Sequence, residues 1–208
     1  GDGGLDAYER ARDCDPISAF GGVIAINRKI DLELAESLHR NFVEVLIAPD
    51  YDPDALAVLQ KKEAIRIFRD EASSQSDYRE KDIKRVRGGI LVQDRDGEPE
   101  QRQMMEVVTG VKPSEDAWAD LLFAWTVCRH VRSNAIVLVK DGVTLGIGAG
   151  QMSRVDSVRL AIEKCREAHG EDAGDKLAGC ALASDAFFPF ADGPSAAIEA
   201  GATSVIQP

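Results

Sequence analysis

No two of the four cysteines, Cys14, Cys128, Cys165 and Cys180, stand close enough to form a C-x-x-C pair, and His39, His130 and His169 are equally scattered. Zinc sites and disulfide frameworks show close, repeated spacings, so neither is expected here. Unpatterned cysteines fit a reducing, cytoplasmic setting. No apolar run approaches the roughly 18 residues that a membrane span needs. The opening Gly1-Asp2-Gly3-Gly4 has no basic stretch leading into an apolar core, so no secretory leader is expected. Basic charge is in short supply too: 25 Lys and Arg against 36 Asp and Glu give a net charge of -11. That disfavours a nucleic-acid backbone as main partner, since neutralising phosphates takes clustered cations. A small anionic substrate stays open, because a few local arginines can hold one phosphate inside an acidic protein.

What is present is ordinary for a globular protein: 208 residues, 44% hydrophobic and 29% charged. That length suffices for one large domain or two small ones with real cores. Helical and extended patterns alternate along the chain. Leu5–Asp13 reads as a short helix, then Asp15-Pro16 and Gly21-Gly22 break it. Val23–Ile26 reads as a buried strand, Leu32–Arg40 as a helix begun near Asp31, and Val43–Ala48 as a strand. Asp52-Pro53 opens a helix through Leu59, with proline in the favourable first turn. Ile65–Phe68 fits a strand. Residues 70–85 are polar and aperiodic, which predicts a surface loop. Gly88–Asp94 reads as a strand after a glycine pair.

Ser114 caps a strong helix through about Arg132, with Trp118, Leu121, Leu122, Trp125 and Cys128 as its apolar stripe. Ala135–Val139 and Val143–Ile147 are strands joined at Asp141-Gly142, a two-residue hairpin signal. Lys140 beside that turn reads as a solvated tip charge. Ser153 with Asp156 forms a box-like cap on the next helix. Ala178–Ala183, a helix opened by Pro194, and Thr203–Ile206 complete the pattern. The fold class is α/β, with a soft boundary near residue 112.

Three stretches carry candidate chemistry. In Gly146-Ile-Gly148-Ala-Gly150-Gln151 the third glycine comes one residue early for a dinucleotide fingerprint, and no lysine follows for a P-loop. Two readings remain: a tight strand-to-helix turn with Arg154 in water, or a close backbone approach to a ligand. A cation in the first helical turn is disfavoured by the dipole, which suggests an anion nearby. Asn134 in Ser133-Asn134 offers a donor and an acceptor at a strand mouth, or simply forms a turn. In Ala183–Asp192, Phe187, Phe188 and Phe190 around Pro189 suit a flat heteroaromatic ligand, or pack into the core, as expected for two of them. Asp185 and Asp192 could bind a cation or ligand N–H, or cap the following turn.

Taken together, SNAIVLVKDGVTLGIGAGQMSRVDSVRLA, DPISAFGGVIAINRKID and ASDAFFPFADGPSAAIEAGATSVIQP resemble the transformylase portion of the AICAR transformylase/IMP cyclohydrolase family. VEVLIAPDY and VRGGILVQD fit the same family in order, so the resemblance runs from about Leu5 to Pro208. It implies a purine-biosynthetic formyltransferase that moves a formyl group from 10-formyltetrahydrofolate to the 5-amino group of AICAR, giving FAICAR. A separate N-terminal domain of the family cyclises that product to IMP. The implied fold is two tandem cytidine-deaminase-like three-layer α/β/α units, incomplete at both ends, over 1–112 and 113–208. A homodimer with interface active sites is implied as well, without catalytic zinc. Gly21, Glu44, Asn134 and Arg154 fall at AICAR-contacting positions, and Val155, Phe187 and Asp192 at folate-contacting ones. Asp185 matches a residue associated with a structural potassium ion in some members.

The family's catalytic Lys-His pair lies in a KH-x-x-P-x-G stretch that has no counterpart in these 208 residues. The AICAR amine is a weak nucleophile, because it is conjugated with the ring and carboxamide. A base must take its proton as it attacks, and a cation must stabilise the oxyanion. None of His39, His130 and His169 occupies a family catalytic position. The chain alone is therefore expected to be inactive or nearly so, a fragment that folds, dimerises and binds ribotide.

Overall fold

β-branched runs set between cap residues produce alternating strands and helices in the computed structural model, which describes residues 3–70, 81–95 and 101–208. The chain divides into two compact units. The first comprises residues 1–21 and 105–208, the second 22–104. These units do not coincide with segments 1–112 and 113–208, because the first 21 residues pack with the C-terminal half.

In the first unit, α1 (Gly4–Asp13) buries Tyr8, and α4 (Glu115–Cys128) starts at Ser114, whose hydroxyl accepts the Ala117 N–H. The helix ends sooner than the pattern predicts: from His130 on, the bonds tighten to the third residue back. Strands β6 (Ile136–Lys140), β7 (Val143–Gly148), β8 (Ala181–Ser184) and β9 (Ser204–Ile206) form one sheet in the order β7-β6-β8-β9. Only β8 and β9 run parallel. The β6–β7 hairpin turns at Asp141 (φ 54°) and Gly142 (φ 67°), both left-handed as this turn requires. Helices α5 (Arg154–His169), α6 (Ala173–Leu177) and α7 (Asp192–Ala200) complete the unit.

Strand alternation makes three layers. Ile136, Leu138 and Leu182 face one way and pack with Val158, Ala161, Ile162 and Cys165 of α5 and Ala197 of α7. Val137, Val139 and Ala183 face the other way, onto Ala124 and Cys128 of α4. A β-strand bounded by helices on both faces is buried on both, which is why Ile136–Val139 is an uninterrupted apolar run.

The second unit holds a parallel sheet, β1 (Gly22–Ala25), β2 (Val43–Ala48) and β3 (Arg66–Arg69), in that order. α2 (Leu32–Arg40) and α3 (Pro53–Leu59) are its crossovers, and Asp31 caps α2 by accepting the Leu34 N–H at 2.9 Å. Ile30, Leu34, Leu38, Leu46, Ala55 and Leu59 are buried. Tyr51 is buried too; its hydroxyl donates to the Phe68 carbonyl at 2.9 Å, and burial pushes its pKa up to about 12. β1 is an edge strand, so Val23, expected to be buried, is 70% exposed.

β4 (Lys81–Val86) and β5 (Gly89–Asp94) form an antiparallel ribbon around Gly88 (φ 85°). Residues 81–85 therefore correct the expected loop over 70–85; its 71–80 portion lies outside the described residues. The glycine pair makes the turn of the ribbon and does not merely precede a strand. No helix among the described residues is long and apolar enough to cross a membrane.

Candidate functional site

The antiparallel pairing of β6 with β8 sets Ile136 opposite Ser184, so the residues just outside those two positions, Asn134 and Asp185, come to the same sheet edge. Two bonds fasten this edge: the Asp185 N–H donates to the Ala135 carbonyl at 3.2 Å, and the Ala135 N–H donates to the Asp185 carboxylate Oδ1 at 2.9 Å. The helix α5 delivers Arg154 to this edge. A methyl group at Gly148 would overlap the Ser157 carbonyl, and one at Gly146 the Ala161 carbonyl. The glycines thus let β7 press directly on α5, so the surface they approach is the protein's own helix. Gly150 (φ 68°) turns the chain between strand and helix, and its N–H donates to the Arg132 carbonyl. Seated this closely, Ser157 Oγ donates to the Asn134 carbonyl at 2.9 Å.

Arg154 is then held by three acceptors. Nη1 donates to Ser184 Oγ at 2.9 Å and to Asp185 Oδ1 at 2.5 Å, and Nη2 donates to Asn134 Oδ1 at 3.0 Å. Its Cζ lies 6.0 Å from the centroid of the Phe188 ring, within cation–π range. The side chains of Arg154 and Asp185 are only 11% and 19% exposed. Burial by itself would raise the Asp185 carboxyl. Hydrogen bonds from Ser133, the Ala135 N–H and Arg154, with the charge of Arg154, outweigh it and hold the group below the ordinary carboxylate range. The anion expected beside the Arg154 cation is therefore this internal carboxylate. Arg154 does not point into water.

The supports of the cluster are themselves fixed. Asn134 Nδ2 donates to the Gln151 carbonyl at 2.8 Å. Ser184 Oγ, fully buried, donates to the Ala186 carbonyl at 2.7 Å. Ser153 caps α5 as the sequence predicts, accepting the Asp156 N–H at 3.2 Å and donating to its carboxylate at 2.5 Å. Beneath Ala135 lies Cys128, whose thiol reaches the Ala135 carbonyl at 3.7 Å. Burial, with a contribution from Asp185, pushes that thiol up to about 12, so it carries no nucleophilic thiolate at neutral pH.

The structure brings together Asn134, Arg154 and Asp185. Val155 follows Arg154 in the first turn of α5 and is half-buried. Phe187 and Phe190 are 64% and 74% exposed, so one phenylalanine of the three packs against the core, not the two expected. That one is Phe188, and Gly193 selects it: a methyl group there would meet Phe188 Cε1 at 2.7 Å. Asp192, exposed, starts α7 and accepts the Gly193 N–H at 2.8 Å, which is local turn bonding. Gly21 (φ 73°) adopts the left-handed conformation that favours glycine. Glu44 is exposed on β2 in the second unit. Ser184 and Ser133 were not among the expected site residues. The signal for Ser184 is a polar residue ending an otherwise apolar strand, ALAS.

A cleft of about 610 Å³ opens at the other end of β6. Arg10, Lys140, His169 and Lys176 line it alongside Asp13, Asp141, Asp172 and Asp175, so both signs of charge are present. Lys140 is not a solvated tip charge: its Nζ donates to the Asp175 and Ala178 carbonyls at 2.9 and 2.7 Å. Among the described residues no group of His, Cys, Asp and Glu could hold a metal ion.

A family model described as AICARFT/IMPCHase bienzyme matches residues 1–164. The bifunctional purine biosynthesis protein PurH of Magnetococcus marinus is 50% identical over 207 residues, covering 98% of this chain and 39% of its own length. The PurH of Cereibacter sphaeroides is 51% identical over 205 residues, with the same two coverages. That of Anoxybacillus flavithermus is 45% identical over 203 residues, covering 98% of this chain and 38% of its own length. The chain thus spans about 39% of the length of the curated relatives it matches.

Proposed function

Because this chain belongs to the AICARFT/IMPCHase bienzyme family, we propose that it carries part of the ribotide and folate sites of a purine-biosynthetic formyltransferase. The reaction moves the formyl group of 10-formyltetrahydrofolate to the 5-amino group of AICAR. The observation that carries this reading is the convergence of Asn134 and Arg154 in one hydrogen-bonded cluster, although one precedes β6 and the other starts α5. Both stand in stretches that resemble the family's AICAR-contacting motifs. An arginine pre-set by neighbours and a carboxamide with its own partner make a rigid polar corner, which suits orientation of a charged heteroaromatic substrate. Val155, exposed Phe187 and Asp192 are assigned to the folate in this reading. Gly21 and Glu44 likewise stand in stretches that resemble the family's AICAR-contacting motifs.

The two units are read as paired cytidine-deaminase-like units, and the assembly as a homodimer in the cytoplasm with shared active sites. What supports the first point is a sheet with helical crossovers in each unit. A potassium ion at Asp185 has less behind it, because Oδ1 already serves both Arg154 and Ala135. No step is assigned to that ion.

His39, His130 and His169 are absent from the partners of the Arg154 cluster. The 208 residues are therefore proposed to bind ribotide without turning it over. Calorimetric titration with AICAR tests the site, with Arg154→Ala expected to weaken binding by about 10- to 100-fold. Unchanged affinity in that variant removes the assignment of Arg154. A transformylase rate matching that of full-length relatives would remove the claim of inactivity.

A further inference from the structure

Three elements converge on one guanidinium, and each acceptor is anchored in turn. Ser184 ends β8, Asp185 follows it, and Asn134 precedes β6. Ser184 Oγ donates to Ala186, Asp185 Oδ1 accepts from Ala135, and Asn134 Nδ2 donates to Gln151. An arginine side chain ordinarily keeps many rotamers, and a ligand that binds it must freeze them. Here that ordering is complete before any ligand arrives. Bonds to Ser184, Asp185 and Asn134 use three guanidinium hydrogens, leaving the Nε hydrogen and one on Nη2 among the described residues. Two donors in one plane are what a two-oxygen anion, such as a phosphate or carboxylate, accepts.

We propose that Asp185 and Ser184 are positioning residues of the substrate site, which hold the Arg154 guanidinium in the plane and rotamer that a ligand anion requires. This inference rests on the ribotide reading of Arg154 given above. Asp185 supplies the charge that makes a buried guanidinium tolerable at a helix N-terminus, where the dipole opposes it. Ser184 supplies an acceptor whose own hydroxyl hydrogen is committed elsewhere, so its lone pair stays aimed at Nη1. Neither side chain needs to touch the ligand.

The test is a double-mutant cycle on AICAR affinity, measured by calorimetry with the 208-residue chain. Asp185→Asn keeps an oxygen for the Ala135 N–H and removes the charge. It is expected to weaken binding about tenfold, as loss of one charge-assisted bond does. In the Arg154→Ala background the same change is expected to cost nothing further, because the residue it serves is gone. Additive losses would overturn the proposal, and so would wild-type affinity in Asp185→Asn where Arg154→Ala binds weakly. Unaltered binding in Arg154→Ala instead sinks the ribotide reading, and the two failures are thereby distinguished. A ligand-free readout stands beside the cycle: rotation of the Arg154 guanidinium, followed by nitrogen-15 exchange, is expected to be slow in the wild type and fast in Asp185→Asn. Equal rates would overturn the proposal. Should Asp185→Asn fail to fold, Ser184→Ala is expected to speed rotation and weaken binding while Ser184→Thr restores both; no difference between that pair overturns it.

Discussion

Asp185 stays ionised where burial opposes charge, and the stability of the first unit registers the balance. Its folded carboxyl lies below its unfolded value, because Ser133, Ala135 and Arg154 outweigh desolvation. A depressed carboxyl contributes stability that is complete above the unfolded pKa of about 3.9 and is lost as pH falls through the folded one. Wild-type melting temperature is therefore expected to fall on acidification below about pH 4 more steeply than that of Asp185→Asn. The measurement is thermal unfolding from pH 3 to 7, and parallel curves would contradict it. The sequence pattern suggested an anion for Arg154 but not which one. Asp185 lies thirty-one positions on, and the β6–β8 register together with the packing of α5 on β7 brings it near. The phenylalanines show the same limit: Phe187, Phe188 and Phe190 are equivalent in sequence, and the space beside Gly193 decides which one packs.

Among elements, the contact of β7 with α5 fixes the site most directly. Gly148 lies against the Ser157 carbonyl, and Ser157 Oγ in turn holds Asn134. A backbone carbonyl cannot swing aside as a side chain can, so a methyl group here must displace the helix. Gly148→Ala is expected to destabilise the first unit by about 3 kcal/mol, at the upper end for overpacking, and to loosen Arg154 with it. Urea unfolding checks the first effect; a loss under about 0.5 kcal/mol, the range of an ordinary surface change, would contradict the contact. Helices and strands with caps were legible: Asp31, Ser114 and Ser153 each accept the N–H expected of them. β4 was not, because Lys81–Val86 has no alternating apolar face and is held by pairing with β5. α6 was missed as well, being a five-residue helix too short to show a period.

At the scale of the molecule, the chain returns to its own beginning. Residues 1–21 belong with 105–208, although the eighty-three residues between them form a unit of their own. A boundary near 112 reads naturally from sequence, because each half then holds a helix, a glycine-bearing loop and buried strands, whereas a discontinuous unit leaves no local mark. The evidence for the return is physical: Tyr8 and Cys14 are buried, and Lys164 Nζ of α5 lies 3.3 Å from the Asp15 carboxylate. The Cys14 thiol, raised by burial, bonds to Thr144 of β7. Removing two such side chains from water contributes on the order of 2–3 kcal/mol. In a unit of this size that corresponds to about 10 °C in melting temperature or more. A chain in which a glycine-serine linker replaces residues 22–104 is therefore expected to melt cooperatively, at least about 10 °C above 105–208 alone. Its Cys14 should also resist a thiol reagent until that transition. Equal melting temperatures, or a freely reactive Cys14 in the linked chain, would show that residues 1–21 are not part of the first unit.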